Sequence, residues 1–195
     1  MKTEIEVKFL NVDFDHVRAT LTQLGAQMQQ PMRLMKRVLS ENELLRNEHR
    51  YAFIRLRDQG DKVTLTLKEF TSQSLSGARE HEVEVSDFDV MLEILKDIGL
   101  PPITFQESKR ETWMLGDVEI VLDEWPWLNP YIEIEGDSEE IVKKTAADMG
   151  FDWADAVFGS VDEAYKLQYP HMKGRGVIDL PEVRFGDPLP DIFKP

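Results

Sequence analysis

The chain has 195 residues, 37 of them acidic and 23 basic, giving a formal net charge of −14 and a pI near 4.7; 42% of its residues are hydrophobic. A field of that sign repels nucleic acid and anionic membrane surfaces while leaving room for a local basic pocket, and the length suits one domain with one substantial core. There is no cysteine, which excludes disulfides and thiolate metal sites, and no apolar run of membrane-span length. Met-Lys-Thr leads directly into a strand with no apolar leader, so the expectation is a soluble cytoplasmic protein.

Residues 3–10 are predicted as a strand. Glu4, Glu6 and Lys8 alternate with Ile5, Val7 and Phe9, and a period of two sends the three charges to one face and the apolar side chains to the other. Asp13 is a candidate N-cap for a helix over about 14–29, with Phe14, Val17, Leu21 and Leu24 at helical spacing and Gly25 near its end. A second strand is expected over 32–39, with Arg33, Met35 and Arg37 on one face, then a polar loop or short turn over 40–50. Strands 51–57 and 62–68 form a hairpin around Asp58-Gln59-Gly60-Asp61. A Ser-rich loop over 70–78 precedes the strand 79–85, and Ser86 is a candidate cap for a helix to about 98. Strands follow at about 105–115, 117–123 and 131–136, then a helix from Asp137 or Ser138 to Met149 closed by Gly150. Ser160, with Glu163 three residues on, has the form of a capping box before a last short helix. The tail after Tyr169 holds five prolines and reads as an extended arm or disordered segment outside the core.

Strands outnumber helices and several are joined by short turns, which predicts an α+β fold: an antiparallel sheet with amphipathic helices outside it. The charged strand faces would then look into a concavity, or into a tunnel if the sheet closes. They carry the acids Glu4, Glu6, Glu80, Glu82, Glu84, Asp123, Glu133 and Glu135 and the bases Lys8, Arg55, Arg57, Lys68 and Arg110, with Arg33, Arg37 and Arg79 as further candidates. Carboxylates without cysteine or a histidine pair suit a hard cation such as Mg²⁺ or Mn²⁺, and converging Arg and Lys side chains suit polyphosphate. No P-loop or Gly-x-Gly-x-x-Gly pattern occurs, so those routes to nucleotides are unsupported. For any one strand a solvated face with cross-strand ion pairs explains the same residues. Trp125 and Trp127 could stack a base or cap the barrel core, and Lys166 could reach phosphate or be a surface lysine.

The order of these segments resembles a known family. Glu4-Ile-Glu-Val-Lys8, Ile54-Arg-Leu-Arg57, the strand end at Lys68, Glu80-His-Glu-Val-Glu84, Lys109-Arg-Glu-Thr-Trp113, Leu122-Asp-Glu124 and Tyr131-Ile-Glu-Ile-Glu135 together resemble the CYTH domain, or triphosphate tunnel metalloenzymes. The resemblance covers residues 1–169 and leaves 170–195 as a Pro-rich extension without assigned function. It implies an eight-stranded antiparallel β tunnel that binds a small triphosphate with Mg²⁺ or Mn²⁺. Carried over residue by residue, Glu4, Glu6, Glu82, Glu84, Asp123, Glu133 and Glu135 would serve the metal, and Lys8, Arg55, Arg57, Lys68 and Arg110 the phosphates. Glu4, Glu6, Lys8, Arg57 and Lys68 would be the catalytic set. Two departures stand out: Ser108 where many relatives have a basic residue, and Trp125-Pro-Trp-Leu-Asn-Pro130 in place of a Gly-rich turn. The expected function is metal-dependent hydrolysis of a small triphosphate, inorganic or organic such as thiamine triphosphate. The alternatives are a class IV adenylate cyclase and a non-catalytic polyphosphate-binding module. No nucleic-acid or membrane partner is expected, and a homodimer is compatible with the sequence.

Overall fold

The computed structural model describes residues 2, 3, 5–47, 50–70 and 78–194. Of the loop expected over 70–78, Phe70 and Ala78 are strand ends and residues 71–77 lie outside the described residues, as does Glu4. In chain order the elements are β1 (Lys2–Thr3), β2 (Ile5–Leu10), α1 (Phe14–Gln23), β3 (Gln27–Ser40), β4 (Arg46–Asn47), β5 (Arg50–Asp58), β6 (Val63–Phe70) and β7 (Ala78–Val85). There follow α2 (Phe88–Asp97), β8 (Pro102–Leu115), β9 (Val118–Trp125), β10 (Leu128–Gly136), α3 (Glu139–Asp148), α4 (Val161–Gln168) and β11 (Glu182–Val183). No helix among the described residues is long and apolar enough to cross a membrane.

All strands belong to one sheet of order β1-β7-β6-β5-β3-β8-β9-β10-β2, antiparallel throughout this path. Its two ends lie in the same stretch of chain: Lys2–Thr3 pairs with β7, and Ile5–Leu10 pairs with β10. The sheet therefore curls round on itself, and eight long strands make the wall, as expected from the alternating charges.

The outward apolar faces are covered by helices. Val17 and Leu21 of α1 and Val142 and Ala146 of α3 pack with Val7, Phe9, Ile120, Leu122, Ile132 and Ile134. Leu95 of α2 packs with Val38 and Leu56. The helices start where their caps dictate: Asp13, Ser138 and Ser160 each accept a backbone N–H with their side chains. For α2 the cap is Asp87, which accepts from Val90 N at 2.9 Å, and not Ser86. No capping box forms at α4: Ser160 bonds the Asp162 carboxylate, while Glu163 pairs with Lys166 at 2.7 Å. α1 stops at Gln23 instead of running to about 29, because Gly25 takes a left-handed φ of +81° that ends the helix. Gln27 and Met28 then pair with Met114 and Trp113, so β3 begins earlier than its periodicity suggests.

The largest departure from expectation is the C-terminal segment. It is not a loose arm. β11 pairs in parallel with β8, and Val177, Val183 and Phe193 are buried with Trp125, Tyr131, Val161 and Tyr165. The Phe193 ring stacks on Tyr169 and Tyr165 at centroid distances of 4.6 and 5.4 Å. Trp125 and Tyr131 share the inward parity of Asp123 and Glu133 on their strands. This apolar cluster therefore sits across one end of the curled sheet. Truncating a buried aromatic ring leaves a cavity worth about 3–5 kcal/mol. Phe193→Ala should lower stability by that amount in urea denaturation; a loss below about 0.5 kcal/mol, typical of a surface site, would mean that the segment is not part of the core.

Candidate active site

The inward faces of the strands enclose a cavity of about 1370 Å³, bordered by charged residues of nearly every long strand. Period-two alternation explains how they come together. Once Val7, Ile132 and Ile134 are buried under α1 and α3, Glu6, Lys8, Glu133 and Glu135 have no direction left but inward.

One wall is acidic. The register sets Glu6 opposite Glu135, and Glu135 opposite Glu119 on the next strand, so three carboxylates lie in a row across β2, β10 and β9. All three border the cavity. One step along, Lys8 is only 1% exposed, and its ammonium lies 2.8 Å from Glu6 Oε1 and 3.2 Å from Glu133 Oε1 and donates to the Gly159 carbonyl at 2.7 Å. Burial would lower the Lys8 pKa, but Glu133 and Glu6 outweigh it and hold the pKa above its ordinary value. Glu133 also accepts from Arg110 Nη2 at 2.8 Å. Burial pushes its carboxyl up, yet Lys8 and Arg110 prevail and bring it down to about 2.

The facing wall is basic. Arg37 stands opposite Arg57 across β3 and β5, and Arg33 opposite Arg110 across β3 and β8. Arg55 and Lys68 complete the set through Glu80, at 3.4 and 2.7 Å. Thr66 donates to Glu82 at 2.7 Å. Arg33, Arg37 and Arg57 differ from the rest: among the described residues none of the three forms an ion pair with a carboxylate, and Arg33 donates instead to the Gln59 and Arg110 carbonyls at 3.0 and 3.2 Å. Burial, then Arg55 and Arg110, push the Arg57 guanidinium well below its ordinary value, and burial and Arg55 bring Arg37 down to about 10. Arginine stays charged in proteins, so these shifts express an unmet demand for an anion.

Of the residues singled out from sequence, Glu6, Lys8, Arg55, Arg57, Lys68, Glu82, Arg110, Glu133 and Glu135 all border the cavity, as do Arg33 and Arg37. Two of the expected metal residues do not. Glu84 is exposed and does not border it: it shares a face with Glu80 and Glu82 but lies beyond them along the strand. Asp123 is buried beside Arg110, whose Nε donates to Oδ1 at 2.7 Å and whose Nη2 donates to Oδ2; both carboxylate oxygens are thus engaged, and its role is to orient Arg110. Lys166 does not border the cavity. Trp125 is buried beneath the Arg37 guanidinium and still borders the cavity, whereas Trp127 does not border it, packs on Phe193 and donates to the Asp187 carbonyl at 2.7 Å. Glu119 was missed, although it alternates with Val118 and Ile120 in the same manner as Glu6 with its neighbours.

The depressed Glu133 carboxyl makes a pH prediction. A folded pKa of about 2 against an ordinary 4.5 gives stabilisation that is complete above pH 4.5 and is lost as pH falls through 2. Its size is on the order of 3 kcal/mol. Wild-type stability should therefore fall across that window more steeply than that of Glu133→Gln in urea titrations. Equal slopes for the two proteins would refute the assignment.

Comparison with known proteins agrees with this architecture. No curated protein matches the chain. Among solved structures, a candidate adenylate cyclase of Vibrio parahaemolyticus superposes with a TM-score of 0.70 at 15% identity, over 84% of this chain and 97% of that one. The PH1012 protein of Pyrococcus horikoshii gives 0.67 at 23% identity, over 79% and 94%. A candidate adenylyl cyclase of Hippeastrum, HpAC1, described as having a dominant triphosphatase activity, gives 0.53 at 15% identity, over 88% and 98%. At these identities the likeness is one of fold. The model of the CYTH domain matches residues 2–154. Members of that family are enzymes of adenylyl cyclase and triphosphatase type, in general dependent on a divalent metal. With its curled eight-stranded sheet, its charged interior and a match over most of its length, the chain belongs to the CYTH domain family.

Proposed function

We propose that the protein is a divalent-metal-dependent hydrolase of a short triphosphate, with inorganic triphosphate as the simplest substrate. The Arg37–Arg57 pair carries this reading: two half-buried arginines directly opposite each other across paired strands, both bordering the cavity, with no carboxylate ion pair to either among the described residues. Like charges placed so destabilise a sheet, and a guanidinium fork matches phosphate oxygens. Arg55, Lys68, Arg33 and Lys8 border the same space and would share a polyanion.

The acidic wall fits a hard cation, because its donors are all carboxylate oxygens and Glu6, Glu135 and Glu119 stand in a row. Among the described residues no three acidic or histidine groups form a ready cage. That suits Mg²⁺ or Mn²⁺ held by one or two carboxylates and completed by phosphate oxygens. One or two of Glu6, Glu135 and Glu119 would hold it, and when bound it would supply charge neutralisation and a more acidic water. Glu4 enters this proposal through the resemblance of its motif alone. Arg37, Arg57, Arg55 and Lys68 bind and orient the phosphoryl groups, the larger part of what such a transfer needs. Lys8, fixed by three oxygen partners, presents its charge without reorganising. Glu119 and Glu135 face the same space and are placed to take the proton of the attacking water.

The names of the structural neighbours make adenylate cyclisation the competing reaction. It needs a pocket that holds ribose and adenine in line with the α-phosphate. Of the aromatic side chains proposed for base stacking, Trp127 lies against Phe193 and away from the cavity, and Trp125, which borders the cavity, has one ring face covered by Arg37. Tripolyphosphate, thiamine triphosphate and ATP should be incubated with Mg²⁺ and with Mn²⁺ and the products identified. Orthophosphate from tripolyphosphate, abolished by EDTA, is expected. Glu135→Gln should lower kcat by two orders of magnitude or more, and Arg57→Ala should raise KM roughly tenfold. Full activity in EDTA, or cyclic AMP made from ATP faster than phosphate is released from any triphosphate, would overturn the hydrolase reading.

A further inference from the structure

Residues 170–194 lie beyond the family match, yet they reach the basic wall. Arg37 stands where this segment closes the tunnel. Its guanidinium lies over the Trp125 ring at 4.4 Å, and its Nε donates to Gln106 Oε1 at 2.8 Å. Arginine can only donate, so the Gln106 oxygen faces Arg37 and the amide nitrogen faces away. That nitrogen makes long contacts with the Thr104 hydroxyl at 3.4 Å and the Val177 carbonyl at 3.5 Å. Gln106 is 1% exposed. Val177 is held in turn, its N–H donating to Asp162 Oδ1 at 2.8 Å. Only a glycine fits before it: Gly176 has φ +137°, and a Cβ there would lie 2.0 Å from Asp162 Oδ1.

We propose that Gln106 is a positioning residue for the triphosphate site, set by the C-terminal segment: it aims Arg37 with a neutral acceptor, so the guanidinium is fixed in direction while its charge stays available to a phosphate. The chemistry of the acceptor is the point. A carboxylate at position 106 would orient Arg37 as well or better and would neutralise it. A side chain without an acceptor would leave the guanidinium held by the Trp125 face alone. The choice of an amide, buried and backed by the Val177 carbonyl, gives orientation without neutralisation. The inference rests on the triphosphate reading above and assigns a role to a segment that the family match leaves out.

Gln106→Glu is nearly isosteric and tests it directly. Tripolyphosphate KM, and Kd measured by calorimetry in EDTA, should rise roughly tenfold or more, because Arg37 gains a permanent counter-ion. kcat should change by less than about threefold, whatever the change in Tm, because the new buried ion pair is set against loss of the amide's contacts with Thr104 and Val177. A merely structural role for Gln106 would lower Tm and leave KM and Kd of the folded protein unchanged. Gln106→Asn keeps the chemistry but falls one methylene short; it should weaken binding by about threefold and serves where the Glu variant does not fold. Gly176→Ala should raise KM with kcat little changed, because it displaces Val177. Unchanged KM and Kd in folded Gln106→Glu protein, with or without a fall in Tm, overturn the inference while wild-type turnover leaves the triphosphate reading intact. Wild-type protein that binds no tripolyphosphate overturns both.

Discussion

Lys8 ties several separate parts of this molecule together. Its strand pairs with β10 on one edge, and on the other its own N–H and C=O bond Val157 at 2.8 and 2.9 Å. Its ammonium binds Glu6, Glu133 and the Gly159 carbonyl. Through Glu133 it is linked to Arg110, and through Arg110 to Asp123. A buried ammonium without such partners would cost several kcal/mol. The position of the 157–159 segment, the level of the acidic wall and the orientation of Arg110 are therefore all tied to one cation.

The interior is divided by how its charges are satisfied. Near Lys8 they are matched within the protein: two cations share Glu133, and Asp123 is spent on Arg110. Near Arg37 they are not, and a neutral amide and an aromatic face take the places that carboxylates would fill. Internal pairing makes for rigidity, and the unpaired part makes for binding. A fully paired interior would be a stable barrel with little affinity for any ion.

Much of this was legible in the sequence, and the failures have definite causes. Alternation identified the inward faces of β2, β5 and β10, because one face of each had to be buried under a helix. It could not give the level along the tunnel, which is why Glu84 was grouped with Glu80 and Glu82 although it lies beyond the cavity. Nor could it say which charges would spend themselves on each other, so Asp123 read as a metal ligand when it is the partner of Arg110. The C-terminal segment was illegible for another reason. Val177, Val183 and Phe193 follow no helical or strand period and are separated by prolines and glycines. Only the surface they land on, Trp125, Tyr131 and Tyr165, makes them core.

Closure of the sheet through its first strand also bears on how the chain assembles. β2 must find β10, and β1 must find β7, after most of the intervening chain has been made, and such distant pairings form slowly. Until then the growing sheet has an open edge, the usual starting point for aggregation. Here its concave face is studded with Glu, Arg and Lys, which resist stacking against another sheet while the edge waits. The charged residues that line the finished cavity thus act first as chaperones of their own unfinished barrel, and an apolar replacement inside it would burden synthesis as well as any function of the cavity.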